Sequence, residues 1–205
     1  MHFDILSFKQ KELLKFISAF KRNYYLVGGT AIALHIGHRR SIDFDLFTKN
    51  NINKNIIKKQ VYKLSFDNKK LISDDIDQIH FLINDVKVTF FNYPYSIIHN
   101  EMLKNIISLP SLLTLSAMKA FTLGRRAKWK DYIDIFFIIK NYYSINDISE
   151  ESRKIFGDLF SEKLFRKQLA YHDDIDFSEP VEYMDGFNTD ENEIKKFLLE
   201  KSLED

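Results

Sequence analysis

The chain reads as an α+β protein, with a mixed-sheet half over residues 1–95 and a helical half over 96–205. Two segments, 41–47 and 79–92, alternate apolar and polar residues with the period of a half-buried strand. Beyond Pro94 the apolar spacing turns helical, with no low-complexity linker between. The composition, 45% hydrophobic with 19 Phe and 10 Tyr in 205 residues, is that of a globular core rather than a disordered chain.

The elements follow in order. A helix over 8–22 leads to Tyr24–Val27, an apolar run too short for a helix and suited to a buried strand. Gly28 and Gly29 let the backbone turn sharply and approach a ligand closely. A short helix over 30–37 and a strand over 41–47 come next, then a lysine-rich helix over 51–65. A strand near 69–73 precedes a hairpin, 79–84 with 86–92, turning at Asn84-Asp85. Helices are predicted over 96–107, 110–124, 127–141 and 149–170, the second opened by Pro110. Residues 172–186 read as loop, with Pro180 and Gly186 as breakers. A last helix covers 189–203, with Thr189 as its cap.

The segment from Leu26 to Phe47 carries the chemistry. A helix starting at a glycine turn aims free N–H groups and a positive dipole end at whatever sits there, which suits a phosphate. His38, Arg39 and Arg40 add positive charge. In the strand that follows, Ile42, Phe44 and Leu46 point one way and Ser41, Asp43, Asp45 and Phe47 the other. Two carboxylates on one face repel unless a cation lies between them. Mg²⁺ (or Mn²⁺), held by one or two carboxylates and substrate phosphates, is the expected answer. An Asp-x-Asp alone is more often a polar strand edge; the glycine turn, the basic turn and the aspartates in this order point to a triphosphate and metal site.

These residues resemble the signature of the nucleotidyltransferase superfamily, Gly-Gly followed by a helix and Asp-x-Asp on a strand. The wording GGTAIAL then HRRSIDFDLF, and the later LSAMKAFTLGRRAKWKDYIDIFFI at 115–138, resemble the AbiEii/AbiGii toxin family. The resemblance covers about the first two-thirds of the chain. It implies a nucleotidyltransferase-type mixed sheet with flanking helices, followed by an all-α domain. It implies that Gly28, Gly29 and Thr30 contact an NTP, that Arg40, Ser41 and Arg125 flank it, and that Asp43 and Asp45 bind the metal. Lys119 would touch the phosphates, with Asp131 or Asp134 completing the catalytic set. The acceptor it implies is RNA, such as a tRNA 3′ end, and the partner an antitoxin.

One position departs from that pattern. Many nucleotidyltransferases place a third carboxylate on a later strand, where it can activate the acceptor hydroxyl. Here the strand reads VKVTFF over 86–91 and the expected position holds Thr89. An acid from the helical block could substitute, or the acceptor could lose its proton without a dedicated base. Nucleotide or nucleic-acid binding without catalysis stays open, as does an antibiotic acceptor. In the second block, spacing alone favours an exposed face on which Lys128 and Lys130 pair with Asp131 and Asp134. Only the resemblance raises Lys119 and Asp131 to site residues.

The formal net charge of +1 conceals a division: 22 Lys/Arg against 12 Asp/Glu over residues 1–140, and 8 against 17 over 141–205. The basic part suits a polyanionic substrate. The acidic part could fold back on it, face a partner or aid solubility. The lack of cysteine excludes disulfides and thiolate metal sites, and the six histidines show no zinc-ligand spacing. With no signal-like N-terminus or membrane-length apolar run, a soluble cytoplasmic protein is expected.

Overall fold

In the computed structural model, residues 1–123 and 125–204 are described. Helix α1 (Phe8–Ser18) opens with a capping box, in which Gln10 N–H donates to Ser7 Oγ and the Gln10 side chain accepts from Ser7 N–H. Strand β1 (Tyr25–Val27) runs directly into α2 (Gly28–Ile36), and β2 (Phe44–Thr48) follows. Helix α3 (Lys54–Tyr62) leads to β3 (Lys69–Asp75), β4 (Gln78–Ile83) and β5 (Val86–Asn92). The β4–β5 turn places Asn84 and Asp85 at φ 51° and 62°, the left-handed pair that a two-residue hairpin requires and that Asn and Asp tolerate.

Residues 96–107 are not a helix. They hold β6 (Glu101–Leu103), which turns into β7 (Ile107–Leu109) through Lys104 at φ 50°. These strands join the same seven-stranded sheet, ordered β3-β4-β5-β2-β1-β7-β6. β1 is antiparallel to β2 and parallel to β7, and β2 is parallel to β5. Along β2, Phe44 and Leu46 are buried as expected, but Ile42 lies before the strand begins and is exposed. On the core face, Phe16, Phe20 and Tyr24 meet Phe90 edge to face, with Phe20 nearest at 4.7 Å between centroids. Burying such a side chain contributes about 1.5–3 kcal/mol, and this cluster fixes which face of β2 and β5 is left for the site.

Helix α4 (Leu112–Leu123) is started by Ser111, whose Oγ accepts from Thr114 N–H at 3.2 Å. Gly124, the last residue of the helix expected there, lies outside the described residues. Helix α5 (Trp129–Asn141) packs on α2 and α4. The single helix expected over 149–170 is two, α6 (Ile145–Phe156) and α7 (Glu162–Ala170), broken at Gly157, whose φ is 56°. The last helix, α8 (Glu191–Leu203), is capped by Asp190 rather than Thr189: the Asp190 carboxylate accepts from Asn192 and Glu193 N–H. No helix among the described residues is long and apolar enough to cross a membrane.

The acidic segment 172–186 folds back on the basic half. Trp129 N–H donates to Asp176 O, Arg40 N–H to Glu182 O and Met184 N–H to His38 O, all at 2.8–3.1 Å. Glu182 pairs with Arg40 at 2.6 Å and Glu179 with Lys130 at 3.2 Å.

Candidate active site

Asp45 emerges on the face of β2 opposite the Phe90 cluster, beside the turn from β1 into α2, and Asp43 immediately precedes that strand. Val27 pairs with Asp45 across the two strands, so Gly28 follows at the level of that carboxylate. Gly28 has φ 73°, and a Cβ on it would collide with the Asp45 carboxylate. Gly29 is bare for a second reason: a Cβ there would lie 2.6 Å from Arg39 Nη2 and 3.2 Å from Ser41 Oγ. Both glycines therefore make room for partners that the intervening chain brings back.

Thr30 is buried and its hydroxyl faces that returning chain, within hydrogen-bond distance of Ser41 Oγ at 2.9 Å and of the Asp43 carbonyl. It positions the strand carrying the aspartates. Ser41 completes this clasp, its carbonyl accepting from Gln10 Nε2 at 2.8 Å. Arg40 turns away to Glu182 and the Asp4 carbonyl. Arg39 and Arg40 of the basic turn thus both pair with acids of this chain, Asp134 and Glu182.

Asp43 and Asp45 differ from every other buried acid here. Burial first, then its neighbour Asp45, pushes the Asp43 pKa up. Burial likewise raises Asp45, against the pull of Arg126, Thr89, Lys87 and Lys119. No protein cation forms an ion pair with either carboxylate among the described residues. A half-buried carboxylate pair with raised pKa values and unfilled oxygens is what a divalent cation would relieve. No cluster of three or more His, Cys, Asp or Glu suited to a metal occurs among the described residues. Two ligands from the protein, with the rest from phosphates and water, is the usual arrangement for Mg²⁺.

The second block holds its charges differently. Asp134 is fully buried and accepts four hydrogen bonds or ion pairs: Arg39 Nε at 2.8 Å and His38 Nε2 at 2.8 Å on Oδ1, Arg39 Nη2 at 2.9 Å and Lys119 Nζ at 3.0 Å on Oδ2. Its pKa is held well below the usual carboxylate value by Arg39 foremost, against the cost of burial. With every lone pair engaged, Asp134 has none to offer a metal or an acceptor proton. It ties the basic turn to α5. Asp131 accepts Lys119 at 2.6 Å and Arg126 Nε at 2.9 Å, and these cations lower its pKa. Neither aspartate forms the exposed pairs with Lys128 and Lys130 that spacing alone favours.

Lys119, only 5% exposed, reaches the site from α4 through those two acids. It lines a cavity of about 280 Å³ between the sheet and the helical half. Val27, Gly28, Ile32 and Asp45 form one side; Leu115, Met118, Lys119 and Thr122 form another, with Arg125 and Arg126 beside them. Its remaining wall is aromatic. Phe47 stands 5.0 Å from Phe91 and 5.1 Å from Tyr93 between centroids. One strand face thus passes from charge at Asp45 to aromatic surface at Phe47, as a polyphosphate joined to a flat base would need. Arg125 lies 4.2 Å over the Phe121 ring at the cavity edge. A larger cavity, about 340 Å³, lies between the end of α5 and α8, but contains no motif residue, and its Lys201 and Glu204 pair with each other.

Two features escaped the sequence reading. Arg126, with a side chain 56% exposed, both grips Asp131 and acts electrostatically on Asp45; adjacent Arg residues cannot be told apart without the loop geometry. Thr89 lies opposite Asp45 in the parallel β2–β5 register, and His80 lies opposite Thr89 on β4. The cross-strand partner of Thr89 follows from the hairpin register, so His80 could have been found by counting back from Asn84-Asp85.

No protein-family model matches the chain. It is similar to the uncharacterized protein aq_aa25 of Aquifex aeolicus (strain VF5), 28% identical over 158 residues that span 74% of this chain and 75% of that one. Among solved structures it is similar to JHP933 from Helicobacter pylori, with a TM-score of 0.60 and 13% identity over 96% of this chain and 91% of that one. It is also similar to MenT4, a nucleotidyltransferase toxin from Mycobacterium tuberculosis H37Rv, with a TM-score of 0.61 and 11% identity over 95% and 82%. The likeness is one of architecture: this chain has the mixed-sheet α+β fold, with a helical C-terminal region, of a nucleotidyltransferase.

Proposed function

We propose that this protein is a Mg²⁺-dependent nucleotidyltransferase that moves a nucleoside monophosphate from an NTP to an acceptor hydroxyl and releases pyrophosphate. The observation that carries this reading is the fit between Gly28 and Asp45, which seats an unpaired carboxylate against a helix N-terminus and a cationic cavity. Asp43 and Asp45 would hold the ion. Bound there, Mg²⁺ would neutralise triphosphate charge and favour displacement at the α-phosphorus. The N–H groups at the start of α2 meet phosphate oxygens, while Lys119 and Arg126 offset their charge from the helical side. Phe47, Phe91 and Tyr93 supply a surface on which the base stacks.

The AbiEii/AbiGii resemblance, together with the architecture shared with a nucleotidyltransferase toxin, supports a growth-inhibiting toxin whose acceptor is RNA, tRNA in particular, and whose partner is an antitoxin. Incubation with each labelled NTP, Mg²⁺ and total RNA tests this. The wild type is expected to label RNA, and Asp43→Ala/Asp45→Ala to lose that labelling while melting no lower than the wild type. Equal labelling by both proteins would overturn the assignment. Thr89 in place of an acid favours one other reading, NTP binding without transfer; calorimetric Mg²⁺-dependent binding with no pyrophosphate released would support it.

A further inference from the structure

The site as described lacks a group to take the acceptor's proton. Asp134 has no free lone pair, and Asp131 is held ionised between Lys119 and Arg126. The strand position where an acid would stand holds Thr89, which is 5% exposed. Its Oγ1 lies 3.0 Å from His80 Nδ1. Thr89 lies directly across from Asp45 in the parallel β2–β5 register, and its hydroxyl favours the ionised Asp45 carboxylate. An ionised carboxylate can only accept, so a hydroxyl that favours it turns its proton toward Asp45 and accepts from His80 Nδ1–H. The chain Asp45–Thr89–His80 therefore fixes one tautomer, with the lone pair on Nε2. Among the described residues Nε2 has no hydrogen-bond partner, and the ring is partly open to solvent.

We infer that His80 is the general base of the transfer reaction, occupying through Thr89 the role that a third strand carboxylate would otherwise fill. This deepens the nucleotidyltransferase reading and rests on it. The step balances: the acceptor oxygen bonds to the α-phosphorus, its proton passes to His80 Nε2, and the bond to the bridging oxygen breaks with its electrons leaving on pyrophosphate. The side of Asp45 toward β1 and α4 is taken by the nucleotide cavity, leaving the β5–β4 side, where His80 stands, for the acceptor.

The surroundings keep the imidazole neutral. Burial first, and Lys87 on β5 second, lower its pKa from the ordinary 6.5, against Asp45 on β2 and Asp75 on β3. His80 is separated from the metal-binding acids by Thr89. At neutral pH the base is thus in its accepting form, and the rate should fall only as pH drops below that of a free histidine.

The test compares wild type, His80→Gln and His80→Gln/Thr89→Asp in single-turnover transfer from labelled NTP to total RNA with Mg²⁺. His80→Gln is expected to slow transfer at least about 100-fold, leave NTP affinity unchanged by calorimetry, and abolish the acid limb of the pH–rate profile. Thr89→Asp in that background is expected to recover at least tenfold, because it restores an acid beside Asp45. A His80→Gln rate within threefold of wild type overturns the inference while leaving the Asp43/Asp45 reading intact. So does a slowed rate with the acid limb retained and no recovery by Thr89→Asp, since that pattern marks a structural loss. No transfer by wild type overturns the reading and the inference together.

Discussion

Asp45 and Asp134 are the same residue type and both near the same lysine, one half-buried and the other fully buried, yet their environments drive them apart. Asp134 is surrounded by Arg39, His38 and Lys119, and its pKa falls. Asp45 sits against a glycine with no cation paired to it, and burial raises its pKa against the pull of Arg126, Thr89, Lys87 and Lys119. The difference teaches which acid serves which purpose. A carboxylate with all lone pairs engaged holds the fold; one left unfilled beside a cavity awaits a ligand. The Asp134 network anchors the turn running back into β2.

The largest expected effect breaks the comparison at its stable end. Asp134→Ala leaves the Arg39 guanidinium buried without its carboxylate, strands Lys119 on Asp131 and removes the one side-chain hydrogen-bond partner that His38 has among the described residues. Removing one member of a buried charged set costs about 3–5 kcal/mol. Urea unfolding should show a loss of that order, with activity falling only as the folded fraction falls. A loss under 1 kcal/mol would mean that the network is not what holds the basic turn.

The second prediction exploits the opposite signs. A carboxylate with a depressed folded pKa, such as Asp134, stabilises the protein above its unfolded value, and that stability is lost as pH falls toward the folded pKa. Asp45 behaves in the reverse sense. Because its folded pKa is raised, the folded state binds more protons between the unfolded and folded values, and stability declines as pH rises through that window. Without added metal, Asp45→Asn should therefore be more stable than wild type at pH 7, by thermal unfolding. The gain should shrink as pH drops through the raised Asp45 pKa and vanish below the unfolded value. Added Mg²⁺ should narrow the pH 7 gap by stabilising the wild type alone. A variant less stable at every pH would show that Asp45 is a structural acid after all.

The same contrast explains what could be read without coordinates. The period-2 alternation of β2 and the double glycine are local signals, each decided within a few residues, so the strand face and its bend were legible. So was the hairpin turn at Asn84-Asp85. The Arg39 and His38 partners of Asp134 lie 95 and 96 residues away, and nothing local in HRR distinguishes a phosphate-binding turn from one folded inward onto an acid. Residues 96–107 misled for another reason. Ile97, Ile98, Met102, Leu103, Ile106 and Ile107 recur with helix-like spacing, but β6 and β7 are three residues each, too short to show their own period. Their pairing with β1 and with each other, a tertiary choice, overrides the pattern.

The smallest expected effect concerns the acidic segment that crosses the basic half. Glu179 pairs with Lys128 and Lys130 near Asp43, with side chains between one-fifth and two-fifths exposed. Pairs this open contribute at most about 1 kcal/mol after solvent screening. Glu179→Gln should thus leave stability within that margin, because the segment is also held by backbone hydrogen bonds at Asp176, Glu182 and Met184. Its electrostatic effect should be more visible than its structural one. Glu179 adds to the upward push on Asp43 while Lys130 opposes it, so removing the acid frees a lysine to pull the Asp43 pKa down. The carboxylate pair of the site would then be less strained as anions, and Mg²⁺ titrated by calorimetry should bind more weakly, because Lys130 competes for the same charge. Unchanged Mg²⁺ affinity would show that Glu179 does not tune Asp43, and a stability loss approaching that of Asp134→Ala would place the segment's hold on the protein in this ion pair and not in its backbone.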